Sequence, residues 1–203
     1  MGNGVVTYRE MGRNGRYSNQ WLQIASTIGI ALDLKKDFVF PPWEYGKWMQ
    51  KKLPVGFLPN AINVPVQFHY APVEDYPGKE INLVNGHLQA SKYFAHHWET
   101  IKPYLTIKGE HKQYIYNKYS FLKSGGTCSI HVRRGDYDTE INRDYHGVLS
   151  IDYYKEAICK LYGADYERVR FVICSDDIPW CEEAFSYLPT KEFIRGEENV
   201  IDQ

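Results

Sequence analysis

The segment CSIHVRRGDY (128–137) ends an apolar run with a histidine, two adjacent arginines, a glycine and an aspartate. Neighbouring guanidinium groups repel one another, so such a pair is best placed beside an anion. Arginine suits phosphate, because its planar fork meets two oxygens at once. A second apolar run, VRFVIC (169–174), ends in Ser175, Asp176 and Asp177. Those carboxylates can accept the N–H donors of a purine edge or cap a following helix. On a strand, His131 and Arg133 share a face, roughly 6–7 Å apart.

The elements that must position these residues can be read from periodicity. Thr127–Arg133 and Val169–Cys174 read as strands. Between them Ile151–Tyr162 reads as a helix, with Ser150 at its N-cap and Tyr154, Ile158 and Leu161 facing inward. Strand, helix, strand is a right-handed crossover, so the two strands are parallel and their C-terminal tips share one edge. Ligands of open parallel sheets bind outside that edge. The link from Arg134 to Leu149 reads as a polar loop carrying Asp138, Glu140, Asp144 and His146, longer than an ordinary βα connection. A short helix over 178–187 and a strand at Glu192–Arg195 follow.

The first half opens in the same style. Val5–Arg9 reads as a strand, EMGRNGRYSNQ (10–20) as a Gly-rich loop, Asn19–Leu34 as a helix and KDFVFPPW (36–43) as a strand stopped by its prolines. Residues 43–80 are broken by prolines and allow one short strand at Val64–His69. INLVNG (81–86) reads as a strand and SKYFAHHWETIKPYL (91–105) as a helix up to Pro103. Pro103 and Gly109 mark a boundary. The prediction is an α/β chain with domains at 1–106 and 107–203, the second beginning with a helix at His111–Phe121 and a turn at Ser124–Gly126.

Composition narrows the function. Lys and Arg number 24 against 25 Asp and Glu, which gives no basic excess for a nucleic-acid binder. Any anion site is therefore a local cluster. Aromatic residues make up 15% of the chain; they read as packing, or as rings on which sugars stack. The four cysteines form no CxxC pair; Cys128 and Cys174 read as buried apolar residues of a reduced compartment. No stretch has the length and apolarity of a signal peptide or membrane span, so a cytoplasmic location is expected. No HExxH, GxSxG or GxxxxGK[ST] pattern is present. His96-His97 reads as a solvated helical pair. Asp136-Tyr137-Asp138 spells a DxD metal motif, but the preceding arginines already supply positive charge. Arg134-Gly135-Asp136 spells an integrin tripeptide, yet it ends a core strand.

HVRRGDY (131–137), HGVLSIDYYKEAI (146–158) and FVICSDDIPWCEEAF (171–185) together resemble the α-1,2-fucosyltransferases of glycosyltransferase family 11. GRYSNQWLQIA (15–25) resembles that family's GGLGNQ-type opening, and GHLQASKYF (86–94) its G-x-x-Q-S-x-x-Y-F stretch. The resemblance implies a GT-B fold of two Rossmann-like domains around a cleft, the first on the acceptor side and the second binding nucleotide sugar. It implies metal-independent, inverting transfer of L-fucose from GDP-β-L-fucose to a glycan hydroxyl, typically the 2-hydroxyl of galactose. Arg133 would contact the donor pyrophosphate, with His131, Ser175, Asp176 and Asp177 near the nucleotide. Gly15, Arg16, Asn19 and Gln20 would complete the donor site from the opening loop. Tyr17 and Ser18 depart from the family's Leu and Gly, and the family's N-S-[ST]-F-S-W-W-type segment has no counterpart before the sequence ends at EENVIDQ, so the second domain is expected to be incomplete.

In such chemistry negative charge develops on the departing diphosphate, and fixed cationic donors stabilise it most in the transition state. Arg133, Arg134, Asp136 and Glu140 form the candidate catalytic set, with Glu140 preferred over Asp138 and Asp144 as the base. No cofactor or metal is expected. The alternatives are a non-catalytic nucleotide-sugar or glycan-binding module, and a GT-B transferase of another nucleotide sugar.

Overall fold

The computed structural model describes residues 4–13, 15–67, 69–123 and 125–195. Asn14 of the opening loop, Phe68 of the expected strand, Ser124 of the expected turn and the closing EENVIDQ lie outside them. The chain divides into two compact units, Met1–Lys112 and Gln113–Gln203.

The first unit is a four-stranded parallel sheet. Its strands are β1 (Val5–Thr7), β2 (Asp37–Phe38), β3 (Ile62–Pro65) and β4 (Ile81–Val84), in the order β2-β1-β4-β3. Helix α1 (Tyr17–Asp33) crosses from β1 to β2. The spacing of Trp21, Ile24, Ala25, Ile28 and Leu32 predicts one apolar face for α1, but Ile24 to Ala31 are buried on every side. The helix packs on β1 and β2 and also against the Ser91–Leu105 region. Gly29 permits that second contact, since a Cβ there would lie 2.0 Å from the carbonyl oxygen of Tyr93.

The expected strand at Val64–His69 is instead β3, which starts earlier and stops at Pro65. A proline lacks the donor a central strand needs, and β3 is an edge strand. The expected helix from Ser91 is two 3₁₀ turns, Ser91–Tyr93 and Ala95–His97, followed by α2 (Trp98–Leu105), which runs through Pro103.

Helix α3 (Gly109–Lys118) leads to the second sheet: β5 (Thr127–Val132), β6 (Arg170–Ser175) and β7 (Lys191–Ile194), all parallel, in the order β5-β6-β7. The predicted polar loop contains a helix, α4 (Glu140–His146). Helices α5 (Ile151–Tyr162) and α6 (Ile178–Ala184) make the crossovers. Ser150 sits at the N-cap position of α5, but its hydroxyl makes no capping bond. One sheet face forms the core: Ile130, Val132, Phe171 and Ile173 pack with Tyr154, Ile158, Cys181, Phe185 and Leu188. Alternation along β5 leaves Thr127, Ser129 and His131 exposed on the other face. Cys128 and Cys174, expected to be buried, are only half-buried; Cys181 is the fully buried thiol. No helix among the described residues is long and apolar enough to cross a membrane.

Candidate functional site

Register places the tips of β5 and β6 side by side, with His131 opposite Cys174 and Val132 opposite Ser175. The chain beyond β5 turns at once, and the Arg133 guanidinium folds back onto Asp136. Arg133 Nε donates to Asp136 Oδ1 at 2.9 Å, and Nη2 donates to Oδ2. The same guanidinium lies 4.3 Å from the centre of the Tyr137 ring. Tyr137 in turn stacks on His146 of α4, with centroids 4.2 Å apart and planes within 2°. The bond to Asp136 raises the pKa of Arg133, outweighing desolvation, with Tyr137, Asp136 and Asp176 adding to the rise. Two of its five N–H donors are used by Asp136, so three remain among the described residues. The side chain is 35% exposed, which leaves those donors accessible.

Arg134 is oriented differently. Its backbone N–H donates to Asp176 Oδ1 at 2.9 Å, its Nε to Asp177 Oδ2 at 3.3 Å and its Nη2 to Asp138 Oδ2 at 3.2 Å. The guanidinium also lies 4.3 Å from the Trp180 ring centre. The sequence pairs Arg134 with Arg133 at a leaving diphosphate. In the structure it fastens the β5 tip to the β6 tip and to the start of α6. Its side chain is 18% exposed, so its removal should act on stability. Arg134→Ala is expected to lower the unfolding free energy by about 1.5–3 kcal/mol, the range for hydrogen bonds to charged groups. Denaturant midpoints would measure this; an unchanged midpoint would contradict the clamp.

The acids divide in the same way. Asp177 Oδ1 accepts from the Trp180 N–H and caps α6, while its own N–H donates to Ser175 Oγ at 2.9 Å. Asp138 accepts from both Arg134 and Arg143, so the carboxylates of the DxD triplet are already neutralised by guanidinium groups. Asp176 is exposed, and among the described residues only its Oδ1 is engaged. Its Oδ2 would sit 3.0 Å from a Cβ at Gly135, so Gly135 allows the tips to approach. Glu140 opens α4 exposed to solvent, and no hydrogen bond or ion pair engages its carboxylate among the described residues. Asp144 is also exposed. His131 points from the uncovered face of β5.

The opening-loop residues gather within the first unit. Gly15 has φ +85°, and a Cβ there would lie 2.1 Å from the Asn19 side chain, so only glycine fits. Arg16 occupies the N-cap position of α1 without a side-chain capping bond. Gln20 is buried; its Nε2 donates to the Gly15 carbonyl and its Oε1 accepts from Trp43 Nε1 at 3.0 Å. Asn19 Oδ1 accepts from Gln89 Nε2 at 2.6 Å. The opening loop therefore meets the GHLQ segment. That segment is shaped by Leu88, a buried residue at φ +53° whose carbonyl accepts the Ser26 hydroxyl.

Sequence reasoning passed over Arg9, at the C-terminal end of β1. Its guanidinium donates to Asn63 Oδ1 at 2.8 Å, and buried Asn82 donates to the same oxygen. β1 lies between β2 and β4 where the strand order reverses, the edge at which open α/β sheets hold ligands. An arginine just past a first strand was the available signal.

Both units are parallel α/β sheets with a guanidinium group at a strand tip, joined by carboxylates in the second unit. The profile of "Glycosyl transferase family 11" matches residues 13–200, and the chain belongs to that family. The O-antigen biosynthesis glycosyltransferase WbnK of Escherichia coli is 36% identical over 86 residues, 42% of this chain and 28% of WbnK. An α-1,2-colitosyltransferase of Escherichia coli is 26% identical over 137 residues, 59% of this chain and 46% of that protein. Human galactoside α-(1,2)-fucosyltransferase 1 is 24% identical over 185 residues, 84% of this chain and 51% of that protein. The chain thus spans about half or less of the curated relatives it matches. The crystal structure of fucosyltransferase NodZ from Bradyrhizobium aligns with a TM-score of 0.64 at 14% identity, covering 97% of this chain and 79% of NodZ. At that identity the likeness is one of fold, a GT-B-like α/β architecture.

Proposed function

We propose that the chain is a glycosyltransferase module that moves L-fucose from GDP-β-L-fucose to a glycan hydroxyl, the 2-hydroxyl of galactose, with inversion and without a metal. The observation that carries this reading is Arg133: a guanidinium at the shared edge of β5 and β6, held in plane by Asp136, with three N–H donors unclaimed among the described residues. Family membership and the fucosyltransferase relatives support fucose as the transferred sugar.

In this reading the bond between the anomeric carbon and the diphosphate oxygen breaks, and Arg133 meets the charge that develops on that oxygen. Asp136 holds the guanidinium, and Arg134 holds the two tips in register. Asp176 offers its unclaimed oxygen to the guanine edge. The acceptor hydroxyl attacks the opposite face of the sugar and loses its proton to Glu140. Asp138 is instead held by two arginines. Arginine neutralisation of both DxD carboxylates supports metal independence. The first unit serves the acceptor side.

The colitosyltransferase relative favours a second reading, in which colitose replaces fucose on the same donor scaffold. The test is transfer from GDP-fucose in excess chelator, with GDP and UDP as competitors. The proposal expects product in chelator and competition by GDP alone. Loss of product in chelator, or equal competition by UDP, would contradict it. Turnover of a GDP-colitose donor in preference to GDP-fucose would select the second reading.

A further inference from the structure

Outside the anion edge, one cluster of side chains has a function not yet assigned: Asp33, His96 and His97. Asp33 is the last residue of α1, and the two histidines close the Ala95–His97 turn, 63 and 64 residues further on. Both Nε2 atoms converge on one oxygen, Asp33 Oδ1, at 2.8 and 2.9 Å. The two rings are held 4.3 Å apart. All three ligand-capable atoms lie within 4.8 Å of one another.

The placement of Asp33 is electrostatically odd. The C-terminal end of a helix carries partial negative charge and favours cations. Here α1 ends on a carboxylate, with no basic residue in its last turn. The helix end and the carboxylate together form a focus for a positive ion, with two imidazoles already aimed at it.

We propose that Asp33, His96 and His97 form a binding site for a divalent cation of zinc type. Imidazole and carboxylate are the donors such an ion takes, at about 2.0–2.2 Å. Tetrahedral geometry at those lengths sets donor atoms about 3.4 Å apart. Each imidazole nitrogen needs to draw back from Asp33 Oδ1 by about half an ångström, and all three side chains are exposed enough to adjust: 47% for Asp33, 49% for His96 and 29% for His97. Each imidazole frees its Nε2 lone pair by carrying its proton on Nδ1, which no hydrogen bond engages among the described residues. Water fills the remaining position. The bound ion clips the end of α1 to the turn before α2, closing a long loop within the first unit.

Calorimetric titration of the chelator-stripped chain with Zn²⁺ tests the site, beside Asp33→Asn and His96→Gln. Loss of an outer-shell partner alone weakens metal sites about 10–100-fold, so loss of a ligand is expected to weaken binding by about 100-fold. A Co²⁺-loaded wild-type chain is expected to show the visible absorption of a tetrahedral ion, a readout independent of any variant. No saturable binding, binding unchanged in both folded variants, or a Co²⁺ spectrum without tetrahedral bands would overturn the assignment.

Discussion

Replacing Arg133 by alanine is expected to slow sugar transfer about 10²–10³-fold, equivalent to about 2.7–4 kcal/mol of barrier by analogy with the loss of one oxyanion donor. The magnitude follows from timing. A donor that meets a departing diphosphate strengthens as charge develops, so its loss falls mainly on kcat, while a merely binding donor would move KM alone. The fold should be little affected. Arg133 and Asp136 are 35% and 39% exposed and pair locally, so water can replace the arginine at Asp136. Arg133→Lys keeps a charge but loses the two-pronged grip of Asp136, and is expected to recover only part of the rate. Steady-state kinetics with a melting-temperature control measures this. A variant that melts normally and transfers at the wild-type rate would remove Arg133 from the mechanism.

Phe171→Ala is expected to have the largest effect on stability, about 3–5 kcal/mol. Phe171 is fully buried on β6, the central strand of the second sheet, paired with Cys128 on one side and Lys191 on the other. The Tyr162 ring meets it edge-on at 6.0 Å. Truncation leaves a cavity beneath the strand whose tip carries Ser175, Asp176 and Asp177. In a domain of this size each kcal/mol shifts the melting temperature by about 4–8 °C. The second unit should therefore melt well below the wild type, and any nucleotide affinity should vanish over the same temperature range. A change below about 1 kcal/mol would mean that this face of β6 is not the core.

Those two residues also show what was legible in the sequence. Phe171 belongs to VRFVIC, an uninterrupted apolar run, and Arg133 ends the alternating run TCSIHV. Period-two patterning and abrupt polar ends located both strands to within a residue. The crossover rule alone brings the two tips to one edge. Helix α1 was equally plain, although its burial on every side depends on the Ser91–Leu105 region, which periodicity within 17–33 does not reveal.

What stayed hidden depends on distant partners. Arg134 and Arg133 are neighbours of the same type. Only the position of Asp177, 43 residues away, separates a clamp from an available donor. The span of α4 reads as loop because it is short and mostly polar; its two apolar residues, Ile141 and Tyr145, share a face but stay exposed and join no core. The early end of β3 reflects its edge position, which proline content alone does not reveal. His96 and His97 look like any solvated pair until α1 delivers Asp33 to them.

The Arg133 donors left unclaimed among the described residues are expected to receive a nucleoside diphosphate. Calorimetry with GDP, on the wild type and on Arg133→Ala, tests it most directly. Saturable binding to the wild type, weakened about tenfold or more in the variant, is predicted, since a charge-assisted hydrogen bond contributes about 1.5–3 kcal/mol. Equal GDP affinity in a correctly folded variant would contradict it.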